Sequence, residues 1–359
     1  MVIFFFTAGL VLLIVGAEAL VRGSSRLAAA IGISPLIIGL TVVAFGTSSP
    51  ELAVSVKAAV SDQANIVIGN VIGSNIFNIL FILGLSAMIA PLIVSRQLIR
   101  LDVPLMVAAA ALCLPISADA LISRGEGAML FLGLVAYIAF LIYISRKESR
   151  PVQDEFAVEF GQESSTAKHW LKNIGLVAGG LGMLILGSKW LVDGAVSMAH
   201  YFGVSDLIIG LTIVAAGTSL PEVVTSVIAS LRGERDIAVG NVVGSNLFNT
   251  LGVLGLAGVI APSGVAVSSA AMKFDMPIMV AASLACLPIF FSGKLIARWE
   301  GALLFAYYIA YTVFLVLTAT KSVALPMFNA AMLYFVIPIT TITLLTITVR
   351  ALRRRKLAR

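Results

Sequence analysis

The sequence predicts an all-α polytopic membrane protein, and three observations carry that expectation. Of 359 residues, 60% are hydrophobic and 12% are charged, whereas a soluble domain is roughly half apolar and about a quarter charged. Continuous apolar runs recur along the chain, each near the length of about 18 residues that reads as a membrane span, and mean hydropathy is +1.06. Two sequence blocks also return at a spacing of 171 residues. A soluble enzyme, a disulfide-stapled secreted module and a disordered chain are excluded. A membrane β-barrel would show short alternating segments in place of unbroken apolar runs.

Eleven apolar segments follow one another, at 2–21, 35–60, 65–90, 103–118, 127–145, 173–192, 205–231, 236–260, 276–291, 300–318 and 325–349. The first lacks a basic start, carries Glu18 and has no small-residue cleavage site, so it reads as a retained span and not a signal peptide. The fourth and ninth are short for a bilayer core of about 30 Å. Residues 146–172 hold the longest polar stretch and read as a linker. The expected organisation is a first unit at 1–145, a cytoplasmic linker at 146–172, a second unit at 173–320, and an extra helix with a basic tail at 321–359.

Charge placement orients these spans. With the N-terminus outside, five of the 24 Lys and Arg fall outside, namely Lys57, Arg124, Lys189, Lys273 and Lys321. The other nineteen fall on the cytoplasmic side, as the positive-inside rule requires. That bias also accounts for the net charge of +6 without a nucleic-acid partner. The run Arg353-Arg354-Arg355-Lys356 reads as a cytoplasmic stop, with lipid binding as the alternative. Short loops and the lack of a large regulatory domain point to a prokaryotic inner membrane; an organelle membrane stays open. Cys113 and Cys286 lie in apolar surroundings and read as buried thiols, with a disulfide or metal pair as the alternative. His169 and His200 form no ligand cluster. Asp102, Asp275 and Glu18 lie near span ends and read as interfacial, although Glu18 also has the option of lining an ion path.

The repeat is plain. Gly39-Leu-Thr-Val-Val-Ala-Phe-Gly-Thr-Ser-Ser-Pro-Glu51 matches Gly210-Leu-Thr-Ile-Val-Ala-Ala-Gly-Thr-Ser-Leu-Pro-Glu222 at ten of thirteen positions. Ile66–Ile79 matches Ile237–Thr250 at nine of fourteen. Asp102-Val-Pro104 returns as Asp275-Met-Pro277, and Cys113-Leu-Pro115 as Cys286-Leu-Pro288. Each copy holds five spans. An odd number makes the second copy enter the membrane from the opposite side, which is the inverted-repeat plan of secondary transporters. The eleventh segment has no counterpart. Packing alone needs small and apolar residues, not Glu, Asn and Ser repeated at fixed offsets.

Glu51 and Glu222 fall midway along the second and seventh segments. A carboxylate at such depth costs about 2.5–3.5 kcal/mol on insertion scales, and no Lys or Arg lies nearby in either central stretch. A metal ion or protons must compensate; permanently protonated structural glutamates are the alternative. Pro50 and Pro221 break the helix and free carbonyls near Ala44–Gly46 and Ala215–Gly217. Such irregular backbone is tolerated at this depth only against protein or a cavity. Thr47, Ser48, Thr218 and Ser219 add hydroxyls. In the next segments Ser74 and Asn78 share one helix face, as do Ser245 and Asn249, being four apart. A helix-packing role is their alternative. Asn75 and Asn246 point elsewhere and read as structural. All these donors are hard oxygens, which argues against zinc, copper and iron. Flexible oxygens around two negative charges suit Ca²⁺, with its about six to eight ligands, better than Mg²⁺. Na⁺ accepts the same oxygens.

At these residues the sequence resembles the cation/calcium exchanger superfamily, in its sodium/calcium exchanger branch, over nearly the whole chain to about residue 320. The paired Gly-Thr-Ser-x-Pro-Glu and Gly-Asn-x-x-Gly-Ser-Asn-x-x-Asn blocks are its signature α-repeats. The resemblance implies a ten-helix core and alternating access, with the first and sixth helices sliding against the rest. It implies ion ligands at the Ala44 carbonyl, Thr47, Ser48, Glu51, Ser74 and Asn78. From the second copy it implies the Ala215 carbonyl, Thr218, Ser219, Glu222, Ser245 and Asn249. Some members of that branch carry Asp where this chain has Asn249. With Asn the site holds two carboxylates, which one Ca²⁺, two Na⁺ or two H⁺ would neutralise.

The expected function is therefore a secondary antiporter exchanging Ca²⁺ for Na⁺. Exchange against H⁺ through the same two glutamates is the nearer alternative, and a cation channel the farther one. A channel usually sets its ligands on an axis between subunits, whereas one chain here carries both half-sites. A scaffold or receptor would leave the duplicated acidic motifs without a purpose. No phosphate-binding loop is present for an ATP-driven pump. No enzyme activity and no cofactor are expected, the transported ions apart. Potassium dependence, transport direction and oligomeric state stay open.

Overall fold

The structure, a computed structural model, describes residues 2–31, 33–145, 167–202, 209, 215–291, 294–343, 345–346 and 349. Among these, nine helices are long and apolar enough to cross a bilayer, and two more meet at a 47° bend to make a further span. In chain order they begin with α1 (Val2–Ile31), the bent pair α2 (Pro35–Thr47) and α3 (Ser49–Val60), α4 (Ala64–Ile89), α5 (Leu98–Ile116) and α6 (Arg124–Ser145). The second half runs through α7 (Ala167–Tyr201), the shorter α8 (Leu220–Leu231), α9 (Arg235–Ile260), α10 (Ala271–Phe291), α11 (Arg298–Ala319) and α12 (Leu325–Thr343). Of the expected seventh segment, residues 205–208 and 210–214 lie outside the described residues, as do 146–166 of the linker.

Several helices outrun their apolar windows. α5 and α10 have 19 and 21 residues, so the fourth and ninth spans are not short. Each opens with a π-helical turn, Leu98–Asp102 and Ala271–Asp275, whose charged residues truncate the hydropathy signal. α7 has 35 residues and starts at Ala167, because Lys168 and Lys172 are good helix formers though polar.

Glycines set the closest helix contacts, as in other membrane bundles. Gly9 and Gly16 of α1 face Gly187 and Gly180 of α7, while Gly23 packs on Asn173, Leu176 and Val177, and Gly194 on Phe6. A Cβ at Gly9 would sit 2.6 Å from Leu191 N, and one at Gly180 would sit 2.7 Å from Gly16 O. Gly84 of α4 likewise meets Gly301 of α11, and Gly255 of α9 meets Gly127 of α6. α4 and α9 lie at the centre, with α9 buried from Ile237 to Val253.

The loops tie the two halves together. β1 (Leu92–Ile93) pairs antiparallel with β4 (Leu295–Ile296), and β2 (Leu121–Ile122) pairs with β3 (Val265–Ala266). Arg124 donates to the carbonyls of Ala261 and Pro262 at 3.1 and 3.0 Å, past the end of α9. Arg298 donates to Ile89 O at 3.3 Å, at the end of α4.

The acidic residues near span ends each have partners within the protein. Asp102 is fully buried and accepts from Tyr137 Oη at 2.9 Å and Gln97 Nε2 at 3.3 Å. Asp275 accepts from Tyr311 Oη at 2.9 Å. Glu18 pairs with Arg22 one turn on and with Arg232 at the end of α8, the latter at 2.6 and 2.9 Å. Cys113 and Cys286 are buried free thiols, each donating to the carbonyl one turn back.

Candidate ion-binding site

Both glutamates sit just past a break in a helix. Ser48, between α2 and α3, has φ −82° and ψ 6°; Ser219, just before α8, has φ −89° and ψ 7°. These bridge-region angles turn the chain so that Pro50 and Pro221 enter the first turn of the next helix, where a missing N–H costs nothing. Glu51 and Glu222 follow in that turn, both fully buried. An acidic residue is favoured at a helix N-terminus.

The two breaks meet. Ser48 Oγ donates to Glu222 Oε1 at 2.9 Å, and Ser219 Oγ donates to Glu51 Oε1 at 2.8 Å. Ser74 Oγ of α4 lies 3.1 Å from Ser219 Oγ. Residues 168 and 174 positions apart are thus brought into one cluster. The second carboxylate oxygen of each glutamate has no hydrogen-bond partner among the described residues, nor has either side-chain polar atom of Asn78 or Asn249, nor Ser245 Oγ. None of these five residues is more than 1% exposed. Buried polar atoms are nearly always paired, and the oxygens of these orphans are of the hard kind that could hold a cation. Asn78 and Asn249 both fall in π-helical turns, Asn78–Leu83 and Phe248–Val253, a distortion frequent at functional sites.

The remaining expected ligands are placed as follows. Thr47 is buried, with its hydroxyl 3.1 Å from Asn241 Oδ1 and 3.4 Å from Ala44 O. The Ala44 carbonyl also accepts the Ser48 N–H at 3.0 Å. Thr218 is half-buried, and Ala215 opens the single turn Ala215–Gly217. Asn75 and Asn246 have other partners, at Thr250 Oγ1 (2.8 Å) and Val242 O (3.0 Å).

The model of the sodium/calcium exchanger protein family matches residues 1–144 and 172–317. The chain belongs to the sodium/calcium exchanger family. It is 42% identical to the putative antiporter CaxA of Alkalimonas amylolytica over 312 residues, covering 86% of this chain and 96% of that one. It is 34% identical to the sodium/calcium exchanger MaX1 of Methanosarcina acetivorans, with coverage of 86% and 96%. Among solved structures, the sodium-calcium exchanger NCX_Mj soaked with Na⁺ and Sr²⁺ superposes with a TM-score of 0.74 at 32% identity, covering 86% of this chain and 96% of that chain. This exchanger-family chain is accordingly an integral membrane antiporter.

Two supporting pairs were not singled out in this exchanger's sequence. Asn70 Nδ2 donates to Glu51 O at 2.9 Å and Ser55 Oγ at 2.8 Å. Asn241 Nδ2 does the same for Glu222 O at 3.4 Å and Ser226 Oγ at 2.9 Å. Each asparagine fixes the backbone of the glutamate on the neighbouring helix. The signal was available: Asn70 and Ser55 return at the same 171-residue spacing as the glutamates.

Proposed function

We propose that this exchanger moves Ca²⁺ against Na⁺ at a midplane site formed by Glu51 and Glu222. Thr47, Ser48, Ser74 and Asn78 complete it with the Ala44 carbonyl in one half. Thr218, Ser219, Ser245 and Asn249 do so with the Ala215 carbonyl in the other. The observation that carries the reading is the crossed pairing of Ser48 with Glu222 and Ser219 with Glu51, which brings the two buried carboxylates together and leaves both Oε2 atoms without a partner among the described residues. Two carboxylates and neutral oxygens balance one Ca²⁺ or two Na⁺, so either occupant relieves the cost of the buried charge. Competition for one site, opened to each side in turn, then couples the two gradients.

The proposed scaffold is two inverted five-helix repeats, α1–α6 and α7–α11, with α12 as an eleventh, peripheral span. Matching features at equivalent places support it: the Arg124 and Arg298 caps, the Tyr137–Asp102 and Tyr311–Asp275 bonds, and the β1–β4 and β2–β3 pairs. In this reading the N-terminus is outside and the C-terminus cytoplasmic in a prokaryotic inner membrane, and Ca²⁺ leaves the cell as Na⁺ enters.

Asn249 favours one second reading. A site with two carboxylates is also neutralised by two protons, so Ca²⁺/H⁺ exchange uses the same residues. Proteoliposomes of the purified protein separate them. Uptake of ⁴⁵Ca²⁺ driven by an outward Na⁺ gradient at equal pH establishes Na⁺ exchange; uptake driven only by a pH gradient without Na⁺ establishes H⁺ exchange. Glu51→Gln and Glu222→Gln are expected to abolish uptake in folded protein. Full flux in either would sink the site.

A further inference from the structure

Pro50 and Pro221 each lack the N–H that would reach the carbonyl four residues back, at Gly46 and Gly217. The two halves treat these carbonyls differently. In the first, Ser49 Oγ donates to Gly46 O at 2.6 Å from within the same turn. In the second, the equivalent of Ser49 is Leu220, which has no hydroxyl. There Gly217 O accepts at 2.6 Å from Ser188 Oγ, which comes from α7. The equivalent of Ser188 on α1 is Ala17. The hydroxyl has therefore changed place between the repeats, from the broken turn itself to the neighbouring long helix.

The placement of Ser188 gives this exchange its meaning. It is buried and adjoins Gly187, one of the glycines through which α7 packs on α1. Its acceptor, Gly217, is followed directly by Thr218 and Ser219, and Ser219 donates to Glu51. Glu222, the acceptor of Ser48, lies in the next turn. A single hydrogen bond thus links α7 to the turn that presents half of the cluster.

We propose that Ser188 is a positioning residue for the second half-site. By holding the Gly217 carbonyl it fixes the Gly217–Glu222 turn, and it makes ion affinity on that side depend on where α7 stands. The first half-site carries its own cap and has no such dependence. This inference rests on the reading of Glu51 and Glu222 as ion ligands.

The test compares wild type, Ser188→Ala, Ser188→Thr, Ser188→Ala with Leu220→Ser, Glu222→Gln and the control Ser197→Ala, whose exposed hydroxyl bonds Asp193 O on the same helix. Half-saturating Ca²⁺ is read twice, by ⁴⁵Ca²⁺ binding to the detergent-purified full chain and by uptake into proteoliposomes. Loss of one hydrogen bond is expected to raise it about threefold to tenfold in Ser188→Ala. Ser188→Thr keeps the oxygen and the wild-type value. Adding Leu220→Ser restores affinity by capping the turn locally, as Ser49 does. A folded Ser188→Ala with unchanged half-saturation, or a shift that neither Ser188→Thr nor Leu220→Ser reverses, overturns the proposal. Should Ser188→Ala not fold, Ser188→Cys replaces it, and a wild-type value there overturns the proposal equally. Wild type that takes up no Ca²⁺ under either gradient, or Glu222→Gln that binds Ca²⁺ normally, instead overturns the reading of the site.

Discussion

Ser219 of the second half donates to Glu51 of the first at 2.8 Å, and the reciprocal bond from Ser48 to Glu222 is 2.9 Å. Each broken helix thus holds the carboxylate carried by the other. A hydrogen bond to a charged group contributes about 1.5–3 kcal/mol, so Ser219→Ala or Ser48→Ala is expected to weaken Ca²⁺ binding about tenfold or more. Because both act on one ion cluster, the double variant should depart from additivity by about 0.5 kcal/mol or more. Strict additivity in ⁴⁵Ca²⁺ binding would show that the two serines serve separate ions.

Ion binding should also be visible as stability. A ligand at about 100 times its Kd adds about 2.7 kcal/mol to a fold that alone binds it. Thermal unfolding of the purified protein is expected to shift upward by a few degrees in Ca²⁺ or Sr²⁺. Mg²⁺, which dehydrates reluctantly, should shift it far less. Glu51→Gln and Glu222→Gln should lose the Ca²⁺ shift; its survival in both would place the ion elsewhere.

The spans were legible in the sequence by their apolar length, and the two glutamates by their recurrence at 171 residues. The crossed serine–glutamate bonds were not, since nothing local records a contact across 168 residues. Asn70 and Asn241 were visible as repeated residues, but their grip on the glutamate backbone depends on how adjacent helices register. The burial of Asp102 was hidden for a related reason. Hydropathy registers its charge near a span end but not Tyr137, 35 residues on, which lets it be buried.

In the proposed site Asn249 adds no charge to the two carboxylates. With two carboxylates, exchange of one Ca²⁺ for two Na⁺ moves no net charge. Uptake by wild-type proteoliposomes is then expected to be indifferent to a K⁺/valinomycin potential. Asn249→Asp adds a third negative charge to a site where Asn249 is buried, and a further Na⁺ is needed to balance it. That variant should become voltage-sensitive, faster in Ca²⁺ uptake with the lumen positive, because three Na⁺ then leave for each Ca²⁺ that enters. Voltage-sensitive exchange in wild type would show that a third cation binds despite Asn249.

The buried Tyr137–Asp102 bond predicts a split between stability and transport. Asp102 is fully enclosed and lacks a basic partner among the described residues, so the Tyr137 hydroxyl and Gln97 amide are the donors that keep it in place. Removing one partner of a buried charged group leaves the other unsatisfied, at a cost of about 1–3 kcal/mol or more. Tyr137→Phe is expected to lower the thermal midpoint of the purified protein by several degrees while leaving half-saturating Ca²⁺ unchanged, because neither residue touches the Glu51–Glu222 cluster. Combining it with Asp102→Leu removes the acceptor as well as the donor and should recover much of the loss. The equivalent Tyr311→Phe should cost less, since Asp275 is only half-buried. A change in Ca²⁺ half-saturation in Tyr137→Phe would instead make this bond part of the transport cycle.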